Sequence, residues 1–145
     1  MDERTILLVE DNPDDVLLTK LAFERQSVCD RIDVAVDGVE ALDYLFAKGA
    51  YAGRAPTLPD LILLDLKLPR LGGLDVLKSV REDERTKYLP IVVLTSSSEE
   101  SDIVGSYDHG ANSFLQKPVD FEEFVSAARA IGLYWLTMNR PGSAK

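Results

Sequence analysis

Apolar residues fall along this chain in two patterns: short unbroken aliphatic runs, and longer stretches where apolar positions recur every three or four residues. The runs are Ile6-Leu7-Leu8-Val9, Leu61-Ile62-Leu63-Leu64 and Ile91-Val92-Val93-Leu94. A strand with one wet face alternates apolar and polar residues, so an unbroken run describes a strand covered on both faces, as in a parallel sheet. Residues 30–36 hold a further strand, Ile32-Asp33-Val34-Ala35-Val36, whose partial alternation suits a sheet edge. Ser113-Phe114-Leu115-Gln116 makes a short fifth strand. Between the strands lie helical patterns. Asn12 is an N-cap and Pro13 a first helical residue, with Asp14 and Asp15 in the turn where the helix dipole favours acids. Val16, Leu17, Leu21 and Phe23 carry the helical spacing to about Arg25. Asp37-x-x-Glu40 is a capping box opening a second helix with Ala41, Leu42, Leu45 and Phe46. Gly72-Gly73 opens a third with Leu74, Leu77 and Val80 on one face. Residues 96–100 supply caps for a fourth, which carries Ile103, Val104 and Tyr107 and stops at Gly110. Asp120-x-x-Glu123 caps a fifth that runs to about Met138. Residues 48–60 read as a surface loop and 139–145 as a flexible tail.

Five strand–helix repeats predict an α/β fold: a doubly wound, five-stranded parallel sheet with helices on both faces. A flavodoxin-like strand order, 2-1-3-4-5, sets the first and third strands side by side with the switch point between them. The pattern shows no internal repeat, so residues 1–138 form one domain. Composition narrows the function. The 145 residues carry 25 acids against 16 bases, a net charge of −9. That balance argues against nucleic acid as a partner, because phosphate backbones demand a basic surface. No apolar run has the length of a membrane span, and the N-terminal residues lack a secretory pattern. Cys29 is the sole cysteine, so the expectation is a cytoplasmic protein without an internal disulfide.

The chemistry sits where strands end. They deliver Glu10 and Asp11, then Asp65, then Thr95, then Lys117. With the first and third strands adjacent, three carboxylates converge, and like charges raise one another's pKa unless something compensates. A divalent cation with oxygen ligands is the simplest compensation. Magnesium fits, since it favours one or two carboxylates, waters and a phosphate. His109 falls in the last turn of the fourth helix and reads as a solvated side chain.

Taken together, the acidic pair Glu10-Asp11, the strand-end Asp65, Thr95-Ser96 and Lys117-Pro118 resemble the receiver domain of two-component response regulators. The resemblance covers residues 5–138. The Glu10-Asp11-Asn12 opening, the long loop before the third strand and Tyr134-Trp135-Leu136 resemble most the stand-alone receivers that partner phytochrome-type histidine kinases. That resemblance implies that Asp65 accepts a phosphoryl group from a sensor histidine kinase in a Mg²⁺-dependent reaction. Asp11 and Asp65 would be direct metal ligands, with Glu10 acting through water and Lys67 through its backbone carbonyl. Lys117 and Thr95 would neutralise phosphoryl oxygens, which is what phosphoryl transfer needs. It further implies a cis Lys117–Pro118 bond, a switch pairing Thr95 with Phe114, and output by shape change or phosphorelay. Enzymatic activity would go no further than slow self-dephosphorylation, with Lys67 and Ser97 tuning the phosphoryl lifetime. Two alternatives remain in view. One is a receiver-shaped scaffold that works without phosphorylation. The other is a haloacid dehalogenase-type phosphatase, which needs a second acid two residues after the nucleophile, where this chain has Lys67.

The fifth helix carries two apolar stripes. Phe121, Phe124, Ala128, Ile131 and Trp135 have core spacing; Ala127, Ala130, Tyr134 and Met138 follow the same period on another face. One stripe suffices to pack on a sheet. The second predicts a homodimer through the face of the fourth helix, fifth strand and fifth helix, with Tyr134 and Trp135 at the interface.

Overall fold

The computed structural model describes residues 3–25, 29–54, 58–118, 120–140 and 142. Strands β1 (Thr5–Val9), β2 (Arg31–Ala35), β3 (Leu61–Leu64), β4 (Ile91–Thr95) and β5 (Ser113–Gln116) form one parallel sheet in the order β2-β1-β3-β4-β5. Helices α1 (Pro13–Glu24), α2 (Gly38–Phe46), α3 (Gly73–Glu82), α4 (Glu100–Asp108) and α5 (Phe121–Gly132) connect and follow them. The unbroken aliphatic runs are buried on both faces, as the pattern requires. Leu7, Val9, Ile62, Leu64, Ile91 and Val93 pack with Ala41, Leu45, Val76, Leu77 and Val80 of α2 and α3. Ile6, Leu8, Leu61, Leu63, Val92 and Leu94 pack with Phe23 of α1 and with Phe124, Ala128 and Ile131 of α5. Each Val, Leu, Ile or Phe among them removed from water contributes roughly 1.5–3 kcal/mol before chain entropy is set against it.

The caps work as their residue types dictate. The Asn12 side chain accepts from the backbone N–H groups of Asp14 and Asp15, Asp37 accepts from Glu40, and Asp120 accepts from Glu123. Asp37 also takes a two-pronged contact from Arg70, Nε to Oδ2 at 2.8 Å and Nη2 to Oδ1 at 3.1 Å. This ties α2 to the loop after β3.

Four expectations need correction. On α1, Leu17 and Leu21 face solvent, and the inner face is Val16, Thr19, Ala22 and Phe23. All three leucines of this helix, Leu17, Leu18 and Leu21, are exposed while Thr19 and Ala22 are buried, so apolar identity alone misassigned the stripe. The 48–60 segment is not uniformly loop. Gly49–Tyr51 forms a turn of 3-10 helix. There the Tyr51 ring meets Tyr44 edge-on at 5.3 Å and the Arg54 guanidinium lies 4.2 Å over the Tyr44 ring. Aromatic packing orders residues 49–54, while residues 55–57 of the expected loop lie outside the described residues. The fifth helix does reach Met138, but its last six residues, Leu133–Met138, are π-helical rather than α-helical. Trp135 lies half-buried against the core beneath α1 and α5; it belongs to the inner stripe, while Tyr134 and Met138 are exposed. Of the expected tail, residues 141 and 143–145 lie outside the described residues.

Candidate functional site

The sheet register builds the site. Val9 pairs with Leu64, so the residues that follow them, Glu10 and Asp65, leave the sheet side by side. The Asp65 N–H donates to Val9 O at 3.0 Å and the Glu10 N–H to Ala35 O at 2.9 Å, which holds both backbones in line with the strands. Thr95 pairs with Gln116, and the Lys117 N–H donates to Thr95 O at 2.7 Å. Gly73, at the start of α3, lies so near the Asp65–Leu66 backbone that a Cβ there would come within 2.5 Å of Asp65 O. No side chain larger than hydrogen lets α3 close on that loop.

The strand-end residues converge. Lys117 Nζ donates to Glu10 Oε1, to Asp15 Oδ2 at 3.0 Å and to Asp65 Oδ2 at 3.4 Å. Thr95 Oγ1 donates to the other Asp65 oxygen, Oδ1, at 2.8 Å. The Lys67 N–H points at that same oxygen from 3.3 Å. Glu10, Asp65 and Thr95 are buried and Asp11 is exposed. Burial pushes the Glu10 carboxyl up to about 7, with Lys117 pulling the other way and Asp65 reinforcing the rise. Burial also works against the charge on Lys117, but the hydrogen bonds to Glu10 and Asp15 outweigh it, so its pKa is raised and the ammonium persists.

Asp15 was not among the expected site residues, having been read as a first-turn acid of α1. Its place in the first turn of α1 already had a reason in the helix dipole, so the sequence offered no separate signal for it.

Glu10, Asp11 and Asp65 each offer a carboxylate oxygen, and the three atoms lie within 4.8 Å of one another. With Asp15 the site holds four carboxylates, three of which, Glu10, Asp15 and Asp65, contact the Lys117 ammonium. Asp11 makes no side-chain hydrogen bond or ion pair among the described residues. This donor set, all oxygen and in excess of the available positive charge, fits a divalent cation.

The expected switch residues share one side of the sheet. Phe114 pairs with Val93 and packs half-buried against the same cluster, the side on which Thr95, two residues beyond Val93, also falls. The Phe114 N–H donates to the Tyr107 hydroxyl at 3.2 Å, which joins β5 to α4. One implied feature is overturned: the described residues contain no cis peptide bond, so Lys117–Pro118 is trans. The ammonium reaches the acids regardless, from a backbone set by the ladder bond to Thr95.

A family model described as the response regulator receiver domain matches residues 6–129. Among curated proteins, the chain is 42% identical over 144 residues to the probable methanogenesis regulatory protein FilR2 of Methanothrix harundinacea, covering 99% of this chain and 91% of that one. Among solved structures, it superposes on the phosphorylated cyanobacterial phytochrome response regulator RcpA with a TM-score of 0.90 at 36% identity, covering 98% of this chain and all of that one (100%). On the Mn²⁺-bound form of the response regulator Rcp1 the TM-score is 0.86 at 31% identity, covering 97% and 99% of the two chains.

Proposed function

The chain belongs to the response regulator receiver domain family, and from that premise we propose that it is a single-domain response regulator with Asp65 as its phosphoacceptor. An Asp65 carboxylate oxygen attacks the phosphorus of a phosphohistidine on a sensor kinase. The P–O bond forms as the P–N bond breaks, and the kinase imidazole leaves with the bonding pair. Three equatorial oxygens must be neutralised during transfer. Lys117 is placed to take one and the Thr95 hydroxyl, with a loop N–H, another. Asp11, Asp65, the Lys67 carbonyl and, through water, Glu10 would hold a magnesium ion, which would supply the remaining positive charge. Thr95 already bonds Asp65 and follows the charge outward after transfer. Phe114 then turns into the space Thr95 leaves. The protein acts as a phosphorylated signal carrier with slow self-dephosphorylation at most. Its partners are a phytochrome-type histidine kinase and a second copy bound through the α4, β5 and α5 face. Nucleic acid and membrane are not partners in this reading, which places the protein in the cytoplasm as one receiver domain over residues 1–138.

The observation that carries the reading is the convergence on Asp65 of Thr95 Oγ1 at 2.8 Å and Lys117 Nζ at 3.4 Å beside an acidic set fit for a cation. It is tested with acetyl phosphate, Mg²⁺ and intact-mass measurement. The expected result is one phosphoryl adduct in the wild type, lost on chelation of the metal and absent from Asp65→Asn. An adduct that persists in Asp65→Asn would sink it.

A further inference from the structure

Outside the acidic cluster, one side chain of α4 reaches back to the site. Asp102 Oδ2 accepts from the Ser97 hydroxyl at 2.6 Å and pairs with Lys67 Nζ at 3.5 Å. Those two residues belong to different loops. Lys67 follows β3, with its N–H on Asp65 Oδ1 at 3.3 Å. Ser97 follows β4, with its N–H 3.4 Å from Thr95 Oγ1, which itself donates to Asp65 Oδ1. A single carboxylate therefore closes a ring of contacts: Asp65, Lys67, Asp102, Ser97, Thr95 and back to Asp65. The Asp102 side chain is 16% exposed, whereas that of Lys67 is 65% exposed. The carboxylate is thus the fixed partner and the lysine the mobile one. The Ser97 hydrogen bond, followed by the Lys67 charge, holds the Asp102 carboxyl below its usual range, so it is an anion at neutral pH.

We propose that Asp102 is a positioning residue that holds the Lys67 ammonium away from the phosphoacceptor, and that phosphorylation of Asp65 draws Lys67 off Asp102 and so loosens the first turn of α4. This rests on the reading of Asp65 as phosphoacceptor. A phosphoryl group brings a charge of about −1.5 to −2 and three strong acceptor oxygens. It arrives on a carboxylate that the Lys67 backbone already touches, and the lysine stem is long and flexible enough to turn toward it. Asp102 offers one negative charge, at a distance beyond a good hydrogen bond. The dianion wins the ammonium. Asp102 is left with Ser97 alone, and α4 loses its ionic tie to the loop after β3.

Linkage fixes the sign of the test. What the phosphoryl group must break opposes it, and removing that contact beforehand must favour the phosphorylated state. Beryllofluoride with Mg²⁺, a non-covalent phosphoryl mimic, gives an equilibrium affinity. Asp102→Asn should bind it more tightly than wild type, by about twofold to fivefold, the scale of a partly exposed ion pair. Lys67→Met should bind it more weakly, and the double variant should match Lys67→Met. A contact that merely supports the fold predicts otherwise: Asp102→Asn would weaken binding or leave it unchanged in both backgrounds. Either of those outcomes, or a gain in Asp102→Asn that survives without Lys67, overturns the proposal. Lys67→Met alters a largely exposed side chain, so its effect is readable even if Asp102→Asn folds poorly; unweakened binding in that variant alone also overturns the proposal. Failure of the phosphoacceptor reading looks different, since the wild type would then bind no mimic.

Discussion

At the scale of single residues, the site is a balance between burial and charge. Lys117 stands among Glu10, Asp15 and Asp65 with its side chain 9% exposed and that of Glu10 2% exposed. Removing one partner of such a buried set costs about 3–5 kcal/mol, because the remaining charges lose their compensation. Lys117→Met should therefore destabilise the fold by about that much in chelator, and Mg²⁺ should return part of the loss by binding the folded state. Denaturant melts with and without Mg²⁺ check this; a variant as stable as wild type in chelator would refute it. Asp37 shows the opposite case, a carboxyl held below its usual range by the Arg70 hydrogen bonds. The unfolded chain then holds that proton more tightly than the folded one. The contribution is complete above about pH 4 and is lost as pH falls through the lowered folded value. Asp37→Asn should be less stable at neutral pH and unfold less steeply in acid; equal acid limbs would count against it. The strand-end residues Glu10, Asp11, Asp65, Thr95 and Lys117 were legible because strand ends in a parallel sheet are where a site must form. Asp15 and Asp102 were not, because each also makes a good first-turn helix acid and nothing in the sequence separates the two roles.

At the scale of elements, unbroken aliphatic runs located β1, β3 and β4, and β2 was legible as an edge from its alternation. The helix faces were harder, because α1 turns its three leucines outward and buries Thr19, Ala22 and Phe23 instead. The joints were hardest of all. Arg81 Nε donates to Gly110 O at 2.9 Å, Nη1 to Lys87 O and Leu89 O at 2.9 and 2.8 Å, and Nη2 to Asn112 Oδ1 at 2.9 Å. That clasp joins the end of α3 to the entry of β4 and the turn after α4, yet in sequence it is one arginine among many. The Gly73 contact is a joint whose signal was present, a Gly-Gly pair at a helix start, but whose reason was not. Gly73→Ala would drive a methyl group into the Asp65–Leu66 backbone, at the usual cost of overpacking, about 1–3 kcal/mol. It should also slow phosphoryl uptake, because relief comes by moving the loop that carries Asp65. Thermal unfolding together with the rate of adduct formation tests both; an unchanged rate would show that α3 yields and the loop does not.

For the whole molecule, the remaining question is what covers the edge at β5. This is the last strand of the sheet, with α4 beside it on one face and α5 on the other. Among the described residues, five large apolar side chains of this region remain exposed: Val104 and Tyr107 on α4, and Leu133, Tyr134 and Met138 past α5. Tyr134 and Met138 are 48% and 64% exposed, and large apolar groups left together in water mark an interaction surface. Trp135 departs from that plan. It is partly buried, with its ring edge-on to Tyr134 at 4.9 Å, so it supports the exposed ring from beneath. Replacing it would test folding as much as association. Tyr134→Asp and Met138→Asp are the cleaner probes, since both place charge on the outer stripe and leave the core intact. Wild type should sediment as a dimer at micromolar concentration and both variants as monomers with unchanged thermal stability. The Tyr107 hydroxyl adds a consequence. It accepts the Phe114 N–H at 3.2 Å, so a Phe114 that moves with Thr95 disturbs α4 at this same face. Phosphorylation should then shift the monomer–dimer equilibrium, and dimerisation should shift affinity for a phosphoryl mimic by the same factor. A wild type that stays monomeric with and without phosphoryl donor would show that a different partner covers the outer stripe.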